Sequence, residues 1–356
     1  MREIKLPSRT ITENSPAYVI AEMSASHCGS LDHAIELIHL AKECGADCIK
    51  IQTYTADTIT LQCKTGDFQI HGGLWDGYCF YDLYKQANTP WEWQSRLKEE
   101  ADKVGIDFFS TPFDRTAVDF LEELGVEFYK IASFEMVDIP LIKYVASKGK
   151  PIIMSTGMAT REEVQEAVDA IRSEGNNQLA LLKCSSVYPA VPENMNLITV
   201  RELANSFDVI SGLSDHSFGS NSAMASIVLG GRIIEKHLCI RRDLPNNPDA
   251  GFSMEPKEFR QMVDDVRMIQ KAVGIEPFVY SERELSSRKN RRSLYISSDV
   301  KKGDTFTENN VRSVRPGYGL HTRYYEMILG KKVKQDAPTG TPMSWDLIED
   351  EDRDKG

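Results

Sequence analysis

Short apolar runs alternate with longer amphipathic segments along most of the chain. The apolar runs have the length and composition of buried strands, and they predict strands at residues 17–23, 47–52, 107–110, 127–131, 151–155, 178–184, 208–212 and 232–237. The segments between them have apolar positions at helical spacing, which predicts helices at residues 32–44, 94–104, 117–124, 139–147, 161–173, 197–206, 222–231 and 256–273. Eight strands that alternate with helices predict an α/β fold, a closed (β/α)8 TIM barrel of parallel strands.

Two histidines stand at the ends of the last two predicted strands. His216 ends the run 209–216 and His237 ends the run 232–237. In a parallel barrel both imidazoles reach the C-terminal rim, where active sites lie. Two neutral imidazoles with an acidic residue between them can hold a divalent metal, although either histidine could instead cap a helix or belong to the core.

One long interval interrupts the regular alternation. Residues 53–93 follow the second strand and are rich in glycine and aromatic residues, including Trp75, Tyr84 and Trp91. A long loop on the rim of a barrel is often functional, and the aromatic content argues against disorder. The segment is interpreted as a lid or a sugar-binding wall, or alternatively as a packed excursion that supports a neighbouring subunit.

The character of the chain changes after Gly274. We expect a catalytic barrel domain over residues 1–275, a polar linker over 276–292, a small β-rich domain over 293–349 and an acidic tail over 350–356. The basic residues at the end of the linker are interpreted as a solvated stretch rather than as a nucleic-acid site.

Composition narrows the possible functions. The 356 residues carry a net charge of −11, which argues against binding to nucleic acid or to an anionic membrane. No apolar run is long enough for a membrane helix, and the first residues lack the core of a signal peptide. Seven cysteines without a Cys-x-x-Cys motif suggest reduced thiols in a cytoplasmic protein.

The predicted strand ends also carry lysines and hydroxyl groups. Lys50, Lys130, Lys183 and Lys236 lie at four strand ends, and we expect them to converge on a positive well. Neighbouring hydroxyls and backbone amides suit the oxygens of a phosphate or carboxylate. The barrel mouth is therefore predicted to bind a small phosphorylated carboxylate together with a metal, although an aldolase or isomerase substrate would carry the same groups.

The residues at these strand ends resemble motifs of the sialic acid synthase family, whose members join phosphoenolpyruvate to an amino-sugar aldehyde. The similarity lies in residues 50–53, 110–113, 129–133, 155–158, 212–216 and 235–237. Residues 314–317 resemble part of the antifreeze-like (SAF) domain at the C-terminus of these enzymes. Within the family, residues 72–75, 81–84 and 89–93 are most similar to the pseudaminic acid synthases, although Ser26 stands where asparagine is usual and Ser186 replaces the asparagine of neuraminate synthases.

The resemblance implies a reaction and a set of site residues. Phosphoenolpyruvate would condense with 2,4-diacetamido-2,4,6-trideoxy-L-altrose and water, giving pseudaminic acid and phosphate. His216 and His237 would hold Mn²⁺ or Mg²⁺, and Glu22 would be a catalytic carboxylate close to that metal. The residues implied for phosphoenolpyruvate are Lys50, Thr111, Lys130, Ser133, Ser155, Ser186 and Ser214, and those implied for the sugar are Gln52, Tyr188, Glu135, Asp249 and Arg315. Family SAF domains send the arginine that matches Arg315 into the partner subunit, which implies a domain-swapped homodimer.

Three alternatives remain open at this point. The sugar could be that of a neuraminate, legionaminate or spore-coat polysaccharide synthase with the same mechanism. The enzyme could be a Schiff-base aldolase that uses Lys130 or Lys183 as its nucleophile. The chain could also be a non-catalytic sugar-binding protein, as the SAF-like domain suggests.

Overall fold

The computed structural model describes residues 2–349, so the acidic tail predicted at 350–356 lies outside the described residues. By its internal contacts the chain divides into two compact units, residues 1–275 and 276–356. Each unit is described by itself.

Eight parallel strands form a closed barrel in the first unit, which confirms the predicted fold class. They are β3 Tyr18–Glu22, β4 Cys48–Thr53, β5 Asp107–Pro112, β6 Tyr129–Ile131, β7 Ile152–Ser155, β8 Leu179–Cys184, β9 Ile210–Asp215 and β10 Ile233–His237. Consecutive strands are neighbours, and the barrel closes where β10 pairs with β3, with His237 opposite Glu22.

Helices follow the strands as the apolar spacing predicts, with ends that differ by a few residues. They are α1 Leu31–Glu43, α4 Trp91–Val104, α5 Arg115–Leu124, α6 Ile139–Ala146, α7 Arg161–Ser173, α8 Thr199–Phe207, α9 Asn221–Val228 and α10 Pro256–Val273. Glycine in the left-handed conformation ends α4 at Gly105 and α5 at Gly125, because that backbone strains residues with a Cβ atom.

A short hairpin that the apolar pattern does not predict precedes the barrel. Its strands are β1 Glu3–Lys5 and β2 Thr10–Thr12, paired antiparallel. Ile4 and Ile11 are fully buried and pack in one apolar cluster with inward residues near the starts of barrel strands, among them Phe109. The hairpin thus adds apolar side chains to the lower part of the barrel interior.

The barrel interior changes from apolar to polar along the strands. Because side chains alternate across a strand, Ile20, Cys48 and Ile233 point to the same interior as the residues two positions later. Those later residues are Glu22, Lys50 and Glu235, all buried. The polar layer therefore lies at the carboxyl ends of the strands.

The insertion predicted at residues 53–93 contains two short helices, α2 Ala56–Ile59 and α3 Phe80–Ala87. Trp75 lies between them, and its indole Nε1 donates a hydrogen bond to the backbone oxygen of Pro248, 3.1 Å away. Pro248 lies in the loop after β10, so the insertion, which begins after β4, extends past the end of β3 to that loop.

The second unit has its own small core. Strands β11 Ser293–Ile296 and β12 Val311–Val314 pair antiparallel, and Leu294, Phe306 and Val333 are fully buried in one cluster. This unit also contains α11 Glu282–Ser286 and α12 Tyr325–Ile328. Every residue of the segment 276–292, expected to be a linker, is exposed.

Among the described residues, no helix has the length and the apolar character needed to cross a bilayer. All seven cysteines lie in the described part of the chain, and each has a free thiol.

Candidate active site

A cavity of about 490 Å³ lies at the carboxyl ends of the barrel strands. It brings together most of the site residues that the sequence predicts: Lys50, Gln52, Lys130, Ser133, Glu135, Ser155, Tyr188, Ser214, His216, His237 and Asp249. The cavity thus joins the predicted phosphate-binding, sugar-binding and metal-binding groups in one space.

Four alternating charges lie at the floor of this cavity: Lys50, Lys130 and Glu235 line it, and Glu22 lies directly behind Lys50. Lys50 pairs with Glu22, and the Nζ atoms of Lys50 and Lys130 each lie 3.5 Å from Oε1 of Glu235. All four side chains are at most 5% exposed, so water screens these charges weakly. The floor is electrically balanced, with two ammonium groups and two carboxyl groups.

Burial and neighbouring charges act in opposite directions on these groups. Burial raises the pKa of Glu22, with Lys50 acting against it. Burial also favours the neutral form of Glu235, but the ammonium groups of Lys130 and Lys50 outweigh it and lower the pKa of that carboxyl. Burial lowers the pKa of Lys130, whereas Glu22 and Glu235 overcome burial and raise the pKa of Lys50. Glu235 and Lys50 are therefore the firmly charged members of the cluster.

Hydroxyl groups surround the two lysines. Lys130 Nζ donates to Ser155 Oγ at 2.8 Å, and Lys50 Nζ donates to Thr111 Oγ1 at 3.4 Å. Ser214 Oγ donates to Glu235 Oε1 at 3.1 Å. These hydroxyls fix the lysines and can also bind oxygens of an anion.

The turn after β7 places two further serines close together. The backbone N–H of Gly157 donates to Ser133 Oγ at 3.0 Å. A Cβ atom on Gly157 would lie 2.2 Å from Ser186 Oγ and 2.8 Å from Ser133 Oγ. The absence of a side chain at Gly157 therefore allows both predicted serines to approach the same point.

The two histidines are neighbours, as their positions on adjacent strands predict. Their ring centroids are 5.3 Å apart. Nδ1 of His216 lies 3.2 Å from the backbone oxygen of Ser185 and 3.8 Å from Sγ of Cys184. Nδ1 of His237 is buried without a hydrogen-bond partner, and it lies 3.9 Å from Oδ2 of Asp249.

The donor set at the histidines fits a divalent cation that takes part of its shell from elsewhere. The described residues contain no group of three or more histidine, cysteine or acidic side chains gathered as a metal site. The unpartnered Nδ1 of His237 is nevertheless free to be a ligand, and burial together with the charge of His216 lowers the pKa of His237 well below its usual value. A neutral imidazole is the form that binds metals, and burial favours this form at His237. At His216 burial acts in the same direction, but the thiol of Cys184 outweighs it and raises the pKa. Ligand or water oxygens could complete the metal's coordination shell.

Polar groups predicted for the sugar lie above the floor. Gln52 Nε2 donates to Glu22 Oε1 at 3.2 Å and to Ser24 Oγ at 3.1 Å, and Asp249 Oδ2 accepts from the backbone N–H of Ala25. Oε2 of Glu135 is buried without a partner, and burial raises the pKa of this carboxyl to about 7. Glu135 therefore has one oxygen available for a ligand.

The expected convergence of four lysines is wrong for two of them. Lys183 and Lys236 do not line the cavity: Lys183 donates to the backbone oxygen of Cys184, and Lys236 forms a buried ion pair with Asp215. The reason is strand alternation, because Cys184 and His237 face the cavity and the lysines next to them must face outward. Of the four lysines only Lys50 and Lys130 line the cavity, and Glu22 and Glu235 balance their charge, so the expected positive well is not net positive.

Four other predicted residues are not part of the cavity lining. Glu22 and Thr111 lie behind Lys50 and contact it, and Ser186 lies beside Cys184 with Oγ 3.7 Å from Sγ. Arg315 is an exposed residue of the second unit, next to β12, whereas every residue that lines the cavity belongs to the first unit.

Among the cavity residues to which sequence reasoning gave no role, Glu235 and Cys184 contact the predicted lysines and histidines. Glu235 lines the floor, and it could have been found because it has the same strand parity as His237. Cys184 lies against His216; burial raises the pKa of its thiol, but His216 outweighs burial and lowers that pKa to about 7. Cys184 lies next to His216 because β8 pairs with β9, and the local sequence around Cys184 does not show this pairing.

Known protein families match both units of the chain. Residues 37–277 match the NeuB family and residues 291–349 match the SAF domain. The chain is 45% identical to a pseudaminic acid synthase of Campylobacter jejuni, over 91% of this chain and 94% of that protein. It is 42% identical to a pseudaminic acid synthase of Helicobacter pylori, over 94% of this chain and 98% of that protein.

A solved structure supports the same relationship. The N-acetylneuraminic acid synthetase of Leptospira borgpetersenii, in complex with citrate, superimposes with a TM-score of 0.73 at 31% identity, covering 80% of this chain and 95% of that one. The sequence similarity extends over more than nine tenths of the chain, and the fold similarity covers most of it. This chain therefore belongs to the NeuB family and carries a SAF domain at residues 291–349.

Proposed function

We propose that this chain is an enzyme that condenses phosphoenolpyruvate with 2,4-diacetamido-2,4,6-trideoxy-L-altrose and water, and releases pseudaminic acid and phosphate. One observation carries the proposal: two buried lysines and a pair of histidines face the same cavity at the barrel mouth. The lysines can bind the negative charges of a phosphorylated carboxylate, and a metal held by the histidines would activate an aldehyde oxygen. The similarity to pseudaminic acid synthases over 91% of the chain supports this choice of sugar within the family.

Phosphoenolpyruvate would occupy the floor of the cavity. Lys50 and Lys130 would bind its phosphate and carboxylate oxygens as charged donors. The hydroxyls of Thr111, Ser133, Ser155, Ser186 and Ser214 would complete this cradle. The proposal is supported by the contacts of Thr111 with Lys50, of Ser155 with Lys130 and of Ser214 with Glu235, and by the presence of Ser133, Ser155 and Ser214 in the cavity lining.

The chemical steps require groups that hold the reactants and move protons. Carbon three of the enol attacks the aldehyde carbon, and the aldehyde oxygen becomes a hydroxyl as it gains a proton. Water then adds to the cation at carbon two and loses a proton, and the tetrahedral intermediate expels phosphate to leave a ketone. Glu22 and Glu235 are the carboxyl groups nearest the lysines, so we assign proton transfer to this pair.

His216 and His237 would hold a divalent metal, Mn²⁺ or Mg²⁺, with Asp249 close to the second imidazole. When bound there, such an ion polarises an aldehyde oxygen or activates a water molecule. The residues themselves orient the sugar: Gln52, Glu135 and Asp249 offer acceptors and donors for its hydroxyl and amide groups.

A second copy of the chain would complete the site. The rim of the barrel mouth has exposed apolar side chains, including Phe134 at 59%, Met158 at 62% and Phe218 at 61% exposure. Exposed apolar residues around an active site are typical of a surface that another protein covers. We propose a domain-swapped homodimer in which Arg315 contacts the sugar in the partner subunit. Seven free thiols support a reducing, cytoplasmic location for the enzyme.

Phosphate release tests the proposed reaction. The purified protein is incubated with phosphoenolpyruvate, Mn²⁺ and one of several aldehyde sugars, and free phosphate is measured over time. We expect release with the altrose derivative and none with the His216→Ala variant. Release with N-acetylmannosamine but not with the altrose derivative would contradict the choice of sugar. Trapping of pyruvate on a lysine by borohydride, without metal dependence, would instead favour a Schiff-base aldolase.

A further inference from the structure

The insertion presents an apolar helix face to the cavity. Phe80, Leu83, Tyr84 and Ala87 of α3 all line the cavity, and their spacing of three, four and seven residues puts them on one side of the helix. Charged residues of α3, such as Lys85, are exposed. An apolar stripe on a surface helix normally packs into a core, but none of these four residues belongs to the core clusters of the barrel. Part of the stripe packs on α2, and Leu83 is only 6% exposed, but the stripe also lines the cavity, where a ligand can contact it.

Two strand-end aromatics extend this face. Tyr54 follows β4 and Phe113 follows β5, and their rings meet edge to face at 5.1 Å. Tyr54 also contacts Tyr84 at 5.8 Å. We call the group Tyr54, Phe80, Leu83, Tyr84 and Phe113 the outer cluster. Two tyrosine hydroxyls are its only side-chain polar groups, so it suits an apolar part of a ligand better than a hydroxyl.

A different aromatic group lies beside the histidines. Tyr188 and Phe252 contact each other at 4.9 Å, and each contacts His216. Trp75 joins them through Tyr188 at 5.5 Å. Within residues 2–349, no ring contact connects this group with the outer cluster. By ring contacts the cavity therefore has two aromatic groups, of which only that of Tyr188, Phe252 and Trp75 lies at the histidines.

The proposed reaction fixes the direction of the sugar in this space. Carbon one of the aldehyde must meet phosphoenolpyruvate at the floor, next to the histidine pair. The far end of the open chain, carbon six, then lies away from the histidines, and the outer cluster is the apolar part of the cavity lining that has no ring contact with them. In a trideoxy sugar this carbon is a methyl group, which carries no hydrogen-bonding atoms.

We propose that the outer cluster binds the methyl group at carbon six and is the part of the site that discriminates against sugars with a hydroxyl at that carbon. This inference rests on the proposed function, because it needs the aldehyde end at the floor. A hydroxyl placed against Phe80, Leu83 and Phe113, which have no polar side-chain atoms, would lose its bonds to water without gaining a partner. Apolar pockets reject an added hydroxyl by about 100-fold at most, so the discrimination is moderate rather than absolute.

The test compares two sugars that differ only at carbon six. The values of kcat/KM are measured for the 6-deoxy sugar and for its 6-hydroxy counterpart, in the wild type and in the Leu83→Asn variant. We expect the wild type to prefer the deoxy sugar by about 10- to 100-fold. The amide of Leu83→Asn can bond the added hydroxyl, so we expect this preference to fall by at least about fivefold, with an unchanged KM for phosphoenolpyruvate.

Matched variants separate this role from damage to the fold. Ala87→Ser adds one hydroxyl to the same helix face with little change in volume, and we expect a smaller fall in preference. Lys85→Gln changes an exposed residue of the same helix and should leave the ratio unchanged. If the ratio of kcat/KM for the two sugars is unchanged in both Leu83→Asn and Ala87→Ser, and phosphoenolpyruvate is used normally, the inference about the outer cluster is wrong but the proposed function stands. Failure of the wild type to release phosphate with the deoxy sugar would overturn the proposed function and the inference together.

Discussion

His237 is the residue on which the proposed metal chemistry depends most directly. Its ring is 8% exposed, and burial keeps it neutral by lowering its pKa. We expect His237→Ala to weaken the binding of Mn²⁺ by at least about 100-fold and to abolish phosphate release, while the barrel stays folded. Metal titration, turnover and a thermal melt measure these effects. His39→Ala, an exposed histidine of α1, is the matched control. Normal turnover in His237→Ala would contradict the metal assignment.

Glu235 balances the two buried lysines, and its loss tests the electrostatics of the floor. Glu235→Gln leaves Lys50 and Lys130 with one carboxyl between them. An uncompensated buried charge of this kind costs about 3–5 kcal/mol of unfolding free energy. Because an anion would restore the balance, we expect phosphoenolpyruvate to raise the melting temperature more in Glu235→Gln than in the wild type.

Calorimetric melts with and without phosphoenolpyruvate measure this difference. Asp119→Asn is the control, since Asp119 forms an exposed pair with Lys148 far from the floor. The melting temperature of the control should respond to the ligand as the wild type does. If phosphoenolpyruvate stabilises Glu235→Gln no more than the wild type, the anion does not bind at the lysines.

At the residue scale, the sequence predicts types of group better than their direction. Lys50 and Lys130 face the cavity as expected, but Lys183 and Lys236 face outward. Lys183 and Lys236 each precede a residue that faces the cavity, Cys184 or His237, and because side chains alternate along a strand, both lysines face outward. Counting this alternation along each strand would have shown it. Glu235 was missed for the same reason. Contacts across strands, such as Lys130 with Glu235, depend on barrel closure and could not be predicted locally.

At the scale of elements, the turn after β7 holds two serines of the proposed phosphate cradle. Gly157 is not in the left-handed region, so space rather than backbone strain excludes a side chain there. We expect Gly157→Ala to push Ser133 and Ser186 aside and to raise KM for phosphoenolpyruvate by about 10- to 100-fold. Glu166→Ala, at an exposed position of helix α7, should leave KM unchanged. Steady-state kinetics distinguish the two, and an unaffected KM in Gly157→Ala would remove these serines from the cradle.

The elements that the pattern predicts are those with long periodic runs. Helix α10 has the predicted bounds, Pro256–Val273, because its apolar stripe extends over several turns. The hairpin of β1 and β2 was missed, since each strand has only three residues and periodicity needs a longer run. Within the insertion, the face of α3 has a clear helical spacing, but its position against a cavity rather than a core depends on the closed barrel.

At the scale of the whole molecule, the eightfold rhythm of strands and helices is enough to predict the barrel, because few folds accommodate it. The C-terminal unit is less predictable from pattern. Its two strands have four residues each, and isolated bridges such as Thr305 with Lys332 supply much of its remaining pairing. For the C-terminal unit, the resemblance of residues 314–317 to the SAF domain is therefore a better predictor of the fold than the apolar periodicity is.

If Arg315 of one subunit contacts the sugar bound in the other subunit, two inactive variants should restore activity to each other in a mixed dimer. Arg315→Ala and His216→Ala should each be nearly inactive, because one lacks the sugar contact and the other lacks a metal ligand. In a mixed dimer, however, the barrel of the Arg315→Ala chain keeps His216 and receives Arg315 from its partner. Random pairing after co-expression should thus restore about one quarter of the wild-type activity per chain. Co-expression of His216→Ala with His237→Ala is the control, since both changes lie in the barrel unit and no pairing gives an intact site. Activity no greater than the sum of the single variants would show that each chain uses its own Arg315, or none.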